Sequence, residues 1–104
     1  MSQDATQSPG TSNDARLEAR IYGRVQGVGF RYFVLEQAQT LRLTGTVRNV
    51  YFPRRMVEVV AEGPRPQLEQ FLRALHRGPS MARVEQVDVQ WSAARNEFSS
   101  FRIV

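Results

Sequence analysis

Residues 17–42 read LEARIYGRVQGVGFRYFVLEQAQTLR, and within them the spacing of apolar side chains changes period once. Leu17, Ala19 and Ile21 alternate with Glu18, Arg20 and Tyr22, the period of a half-buried strand. Glycines at 23, 27 and 29 follow. Beyond them Phe30, Val34, Ala38 and Leu41 recur at spacings of four, four and three, as on one face of an amphipathic helix that ends near Arg42. A strand therefore enters a helix through a glycine-rich turn.

The rest of the chain continues this alternation of element types. Leu43 to Val50 carries β-branched Thr44, Thr46 and Val47, and Met56 to Ala61 is rich in valine, which predicts two strands joined as a hairpin across Tyr51 to Arg55. Gly63-Pro64-Arg65-Pro66 breaks the strand pattern and opens a second helix with an apolar stripe of Leu68, Phe71, Leu72 and Leu75. Gly78-Pro79 stops it, Val87, Val89 and Trp91 alternate in a further strand, and Phe101 and Ile103 mark a short last one. The order predicts an α+β fold of the ferredoxin-like, split βαβ type: a βαββαβ sandwich with an antiparallel sheet, two helices on one face, and a short C-terminal strand. Residues 1–15, MSQDATQSPGTSNDA, have no large aliphatic side chain after Met1 and read as a disordered tail, leaving residues 16–104 as one domain.

Composition removes several chemistries. The chain has no cysteine and one histidine, His76, so disulfides, thiolate nucleophiles, iron–sulfur clusters and cysteine or multi-histidine metal sites are excluded. No apolar run approaches the roughly 20 residues of a membrane span and no signal segment is present, so a soluble, cytoplasmic protein is expected. All 14 basic residues are arginine, and from residue 16 onward they face eight acids. Such a surface favours phosphates and other anions, nucleic acid among them.

The chemistry-bearing segment is Gly23-Arg24-Val25-Gln26-Gly27-Val28-Gly29-Phe30-Arg31, between strand and helix. A turn there directs consecutive backbone amides into one concavity and adds the unpaired amides and positive dipole end of the helix. Arg31, in the first helical turn, adds a guanidinium able to hold a phosphate by paired hydrogen bonds. Taken alone, the glycines also suit a plain tight turn with Arg31 as a solvated charge. The pattern is neither a Walker motif, which needs lysine, nor the Gly-x-Gly-x-x-Gly dinucleotide pattern.

That nine-residue run resembles the signature of the acylphosphatases, small enzymes that hydrolyse carboxyl–phosphate mixed anhydrides. Gly45-Thr46-Val47-Arg48-Asn49 resembles the family's Gly-x-Val-x-Asn, and Phe98 to Ile103 is similar to its closing strand. The likeness spans Leu17 to Val104. It implies the same split βαβ fold and hydrolysis of a small-molecule acyl phosphate to a carboxylate and inorganic phosphate, with no cofactor and no metal. It implies also that Arg31 is catalytic and binds the phosphate together with the loop amides of Gln26, Gly27, Val28, Gly29 and Phe30, and that Asn49 orients the attacking water, whose proton passes to the substrate's own phosphate. On its own, Asn49 reads as a turn asparagine capping local amides. Its place behind the cradle motif favours the catalytic role. A monomer without membrane or nucleic-acid partner is expected. Similar motifs occur in a domain of a larger carbamoyl-transfer maturation protein, and a chain ending at Val104 is expected to be the small form.

The chain departs from the family pattern in the run Val50-Tyr51-Phe52-Pro53-Arg54-Arg55-Met56, a longer, bulkier turn without glycine beside Asn49. Such a turn bears on substrate access and on the placement of Asn49. Tyr51 and Phe52 are expected to be exposed and to mark a contact, and Arg54-Arg55 to form a charged tip. His76 reads as a surface residue, Trp91, Phe98 and Phe101 as packing, and Glu58 and Glu62 as solvated strand-face acids. Two other classes of function fit less of the sequence. One is a non-catalytic phosphate-binding or regulatory module with the water step disabled by this hairpin. The other is a nucleic-acid-binding domain, which ranks lowest because the arginines are scattered and no paired RNP-like aromatics occur.

Overall fold

The computed structural model describes residues 14–104, in the order β1 (Asp14–Arg24), α1 (Phe30–Thr40), β2 (Thr44–Val50), β3 (Met56–Pro64), α2 (Arg65–Arg77), β4 (Arg83–Ala93) and β5 (Phe101–Ile103). The sheet runs β4-β1-β3-β2-β5. Its first four strands pair antiparallel, as expected, while β5 joins β2 in parallel register at Gly45↔Phe101 and Val47↔Ile103, making the sheet mixed. β1 begins at Asp14, which pairs with Pro64, so Asp14 and Ala15 belong to the sheet and not to a tail. The expectation of disorder otherwise falls on residues 1–13, outside the described residues.

Local chemistry sets the element ends. α1 stops in a Schellman turn: Leu43 N–H donates to the Ala38 carbonyl at 2.9 Å, Arg42 N–H to Gln39, and Arg42 takes the left-handed φ of 58° that glycine usually fills there. α2 opens with Pro66 in its first turn and closes on Gly78, whose N–H donates to the Ala74 carbonyl at 2.8 Å.

Alternation then sorts the sheet into two faces. Leu17, Ala19 and Ile21 of β1, Val47 of β2 and Val57, Val59 and Ala61 of β3 are fully buried against Phe30, Val34 and Ala38 of α1 and Leu68, Phe71 and Leu75 of α2. Each large aliphatic or aromatic side chain among them contributes roughly 1.5–3 kcal/mol by leaving water. Phe101 extends this core, edge-on to Phe71 at 6.1 Å, and Trp91 is half-buried under the Arg65 guanidinium at 3.7 Å. His76 is exposed in the last turn of α2.

The opposite face holds the two acids, Glu58 and Glu62, that read from sequence as solvated and that the fold covers. Glu62 is not solvated: it is 4% exposed, accepts from Arg16 at 2.8 Å, and accepts from the backbone N–H groups of Arg95 and Asn96 at 2.9 and 2.8 Å. Arg16, itself buried, also bonds Glu18 and Glu97 and lies over the Phe98 ring. The segment between β4 and β5 folds across this end of the sheet, and its unpaired amides are satisfied by the Glu62 carboxylate. Glu58 is half-buried between Arg48 at 2.7 Å and Arg20 at 3.7 Å.

Candidate functional site

Two buried side chains, Val25 and Phe30, pin the ends of the loop that joins β1 to α1, and the residues between them stay at the surface. Gly27 and Gly29 take φ of 75° and 78°, and a Cβ added at either would meet no atom within 4 Å. Glycine serves these positions through its left-handed conformation, not through lack of room. The first bond of α1 runs from Phe33 N–H to the Gly29 carbonyl at 3.0 Å, so the amides of Phe30, Arg31 and Tyr32 have no partner inside the helix. No side chain caps this end and no acid stands in the first turn, which leaves the positive end of the helix dipole unopposed. Arg31 sits in that turn, half-buried, and among the described residues it joins no ion pair.

The second motif meets this loop through Gln26. Its side-chain amide donates to the carbonyls of Val50 and Met56 at 2.9 and 3.0 Å, the two residues that close the β2–β3 hairpin. From sequence Gln26 reads only as an amide of the loop; its side chain is also the strut between the two motifs. Asn49, one residue before Val50, remains in β2 register opposite Val57 and shares the helix-covered face with Val47. The bulky hairpin therefore leaves the strand pairing of Asn49 undisturbed. The Asn49 Oδ1 is buried and accepts no hydrogen bond.

Beyond Asn49, residues 51–55 are exposed, and Arg54 curls back to lie 3.9 Å over the Tyr22 ring instead of projecting as a free tip. A depression of about 330 Å³ lies on the helix-free face of the sheet, but Glu18, Glu58 and Asp88 line it and it does not involve the loop. Among the described residues no three histidine or carboxylate side chains converge to hold a metal ion. The loop and the first turn of α1 present free amides and an unpaired guanidinium, donors suited to a phosphoryl group, and Gln26 ties that loop to the end of β2 that carries Asn49.

The acylphosphatase family model matches residues 17–103. An acylphosphatase of Salinibacter ruber is 50% identical over 93 residues, covering 89% of this chain and 96% of that protein. Among solved structures, an acylphosphatase from Bacillus subtilis is similar with a TM-score of 0.80 and 38% identity, over 86% of this chain and 98% of that one. An acylphosphatase from Coxiella burnetii is similar with a TM-score of 0.85 and 32% identity, over 94% of this chain and 100% of that one.

Proposed function

Because the chain belongs to the acylphosphatase family and has its hydrolytic activity, we propose that Arg31 and the amides of Gln26, Gly27, Val28, Gly29 and Phe30 hold the substrate phosphoryl group while Asn49 aims the attacking water. The substrate, a small acyl phosphate, is already activated, because its leaving group is a carboxylate that departs as a stable anion. The protein's task is position and charge. Loop amides and the Arg31 guanidinium stabilise the phosphoryl oxygens as charge redistributes, and the Asn49 side-chain amide orients the water in line with the breaking P–O bond. The water oxygen bonds phosphorus, the electron pair of the P–O bond leaves with the carboxylate, and the water proton passes to a phosphate oxygen. No side chain has to act as a strong base. The observation that carries this reading is the run of unpartnered amides and the unpaired Arg31 at the uncapped start of α1, in a loop that Gln26 ties to the end of β2 one residue past Asn49. The same reading includes a metal-independent monomer acting on a small molecule in the cytoplasm.

The test is hydrolysis of acetyl phosphate in EDTA by the parent, Arg31→Ala and Asn49→Ala, each checked for folding by circular dichroism. Each variant is expected to lose about a hundredfold or more in kcat/KM while staying folded. A folded variant that keeps parental activity removes its residue from the mechanism.

A further inference from the structure

β1 parts from β3 before it reaches the loop. The antiparallel ladder between the two strands ends at Ile21↔Val57, while β1 stays paired with β4 through Gly23↔Val84 and Arg24↔Arg83 after a register shift at Tyr22/Gly23. From Tyr22 onward no backbone ladder joins the strand that enters the loop to the β2–β3 hairpin. Two side chains span the gap. Gln26 donates to the Val50 and Met56 carbonyls, and Arg54 reaches back from the hairpin to set its guanidinium 3.9 Å from the centroid of the Tyr22 ring.

Tyr22 follows the core residue Ile21 and so stands on the face of the sheet that carries no helix, yet it is only 7% exposed. Arg54 lies over it and, among the described residues, joins no ion pair. A guanidinium over a desolvated ring, with no carboxylate to hold it, is placed by the ring itself. On the other side β4 confines the end of β1, where a Cβ added to Gly23 would strike the Arg83 carbonyl. We propose that Arg54 is a positioning residue for the phosphate loop: its stack on Tyr22 holds the last residues of β1 to the hairpin and so sets where the loop amides meet a phosphoryl group, an inference that rests on the phosphate-in-loop reading above. Gly27 and Gly29 leave the loop few steric restraints of its own, and an error near 1 Å in such a site costs on the order of a hundredfold in rate.

The measurement is kcat/KM for acetyl phosphate and the Ki of inorganic phosphate in the parent, Arg54→Ala, Arg54→Lys, Tyr22→Phe, Tyr22→Leu and the double variant Arg54→Ala/Tyr22→Leu, at low and high salt. Arg54→Ala is expected to lower kcat/KM and to weaken phosphate inhibition, each roughly three- to tenfold, with Arg54→Lys restoring part of the loss and Tyr22→Phe, which keeps the ring, matching the parent. In the Tyr22→Leu background Arg54→Ala is expected to add nothing. Parental kinetics in Arg54→Ala overturn the proposal and leave the phosphate site standing. A loss that is the same with and without Tyr22, or that vanishes at high salt, also overturns it, since Arg54 then acts on the anion by its own charge. Where Tyr22→Leu does not fold, the salt series on Arg54→Ala alone makes that distinction. A parent that neither hydrolyses acetyl phosphate nor binds phosphate sinks the site reading itself and this inference with it.

Discussion

Arg16, Arg20, Arg48 and Arg65 each meet a carboxylate, and Arg31 meets none among the described residues. In a chain whose basic residues are all arginine, charge does not distinguish Arg31; its place over free helix amides does. Arg31→Lys keeps the charge but loses the planar fork, and is expected to lower kcat/KM for acetyl phosphate by about tenfold or more and to weaken inhibition by inorganic phosphate, read from steady-state kinetics. Asn49→Asp keeps an acceptor but sets a negative charge beside the phosphoryl group. Its activity is expected to fall about a hundredfold at neutral pH and to recover partly as the pH is lowered and the new carboxyl protonates, which a pH–rate profile reads directly. Both residues are proposed from the sequence because each stands in a motif with fixed spacing. The Oδ1 without a donor is not, because burial and hydrogen bonding belong to the folded chain.

At the scale of elements, the loop between β1 and α1 is shaped by its own dihedrals and held from outside. Gly29→Ala forces a side chain into φ near 78°, a cost of roughly 1–2 kcal/mol, and turns the following amides away from their common focus. Calorimetry with inorganic phosphate is expected to show weaker binding than the modest loss of stability explains. Gln26→Ala leaves the dihedrals alone but strips two carbonyls of their donor. Faster amide exchange in residues 50–56 and a lower kcat, with the core still protected, are the expected outcome. Sequence periodicity, β-propensity and the breaks at glycine and proline together predicted the existence and type of every element, although β4 buries no side chain fully and leaves Val89 exposed. They missed the strut, because a glutamine in a glycine-rich loop has no pattern that reveals a partner 24 and 30 residues away.

For the whole molecule, the Arg16–Glu62 pair ties the β4–β5 connection to the sheet. Burial alone raises the Glu62 pKa, but the N–H of Arg95, the Arg16 guanidinium and the N–H of Asn96 outweigh it and hold the carboxyl below its ordinary value. Burial alone lowers that of Arg16, and its bonds to Glu18, Glu62 and Glu97 outweigh this and raise it. A depressed glutamate stabilises the fold fully above its unfolded pKa of about 4.3, and that contribution is lost as the pH falls through the folded value. The raised arginine titrates only in strong alkali and leaves this acidic window to Glu62. Urea unfolding is therefore expected to show a stability loss between neutral pH and about pH 3 that Glu62→Gln diminishes. Glu62→Ala at pH 7 is expected to cost about 1–3 kcal/mol, because the N–H groups of Arg95 and Asn96 lose their acceptor while Arg16 keeps Glu18 and Glu97.

The sequence by itself determined the split βαβ plan and the glycine-rich turn between its first strand and first helix, because period and glycine placement are local and survive without neighbours. The parallel docking of β5, the buried state of Glu62 and the strut from Gln26 were decided only by tertiary structure. Each depends on which distant backbone groups are left unpaired when the sheet closes, and the side chain that answers them, Glu62 for two amides and Gln26 for two carbonyls, is chosen by proximity in space.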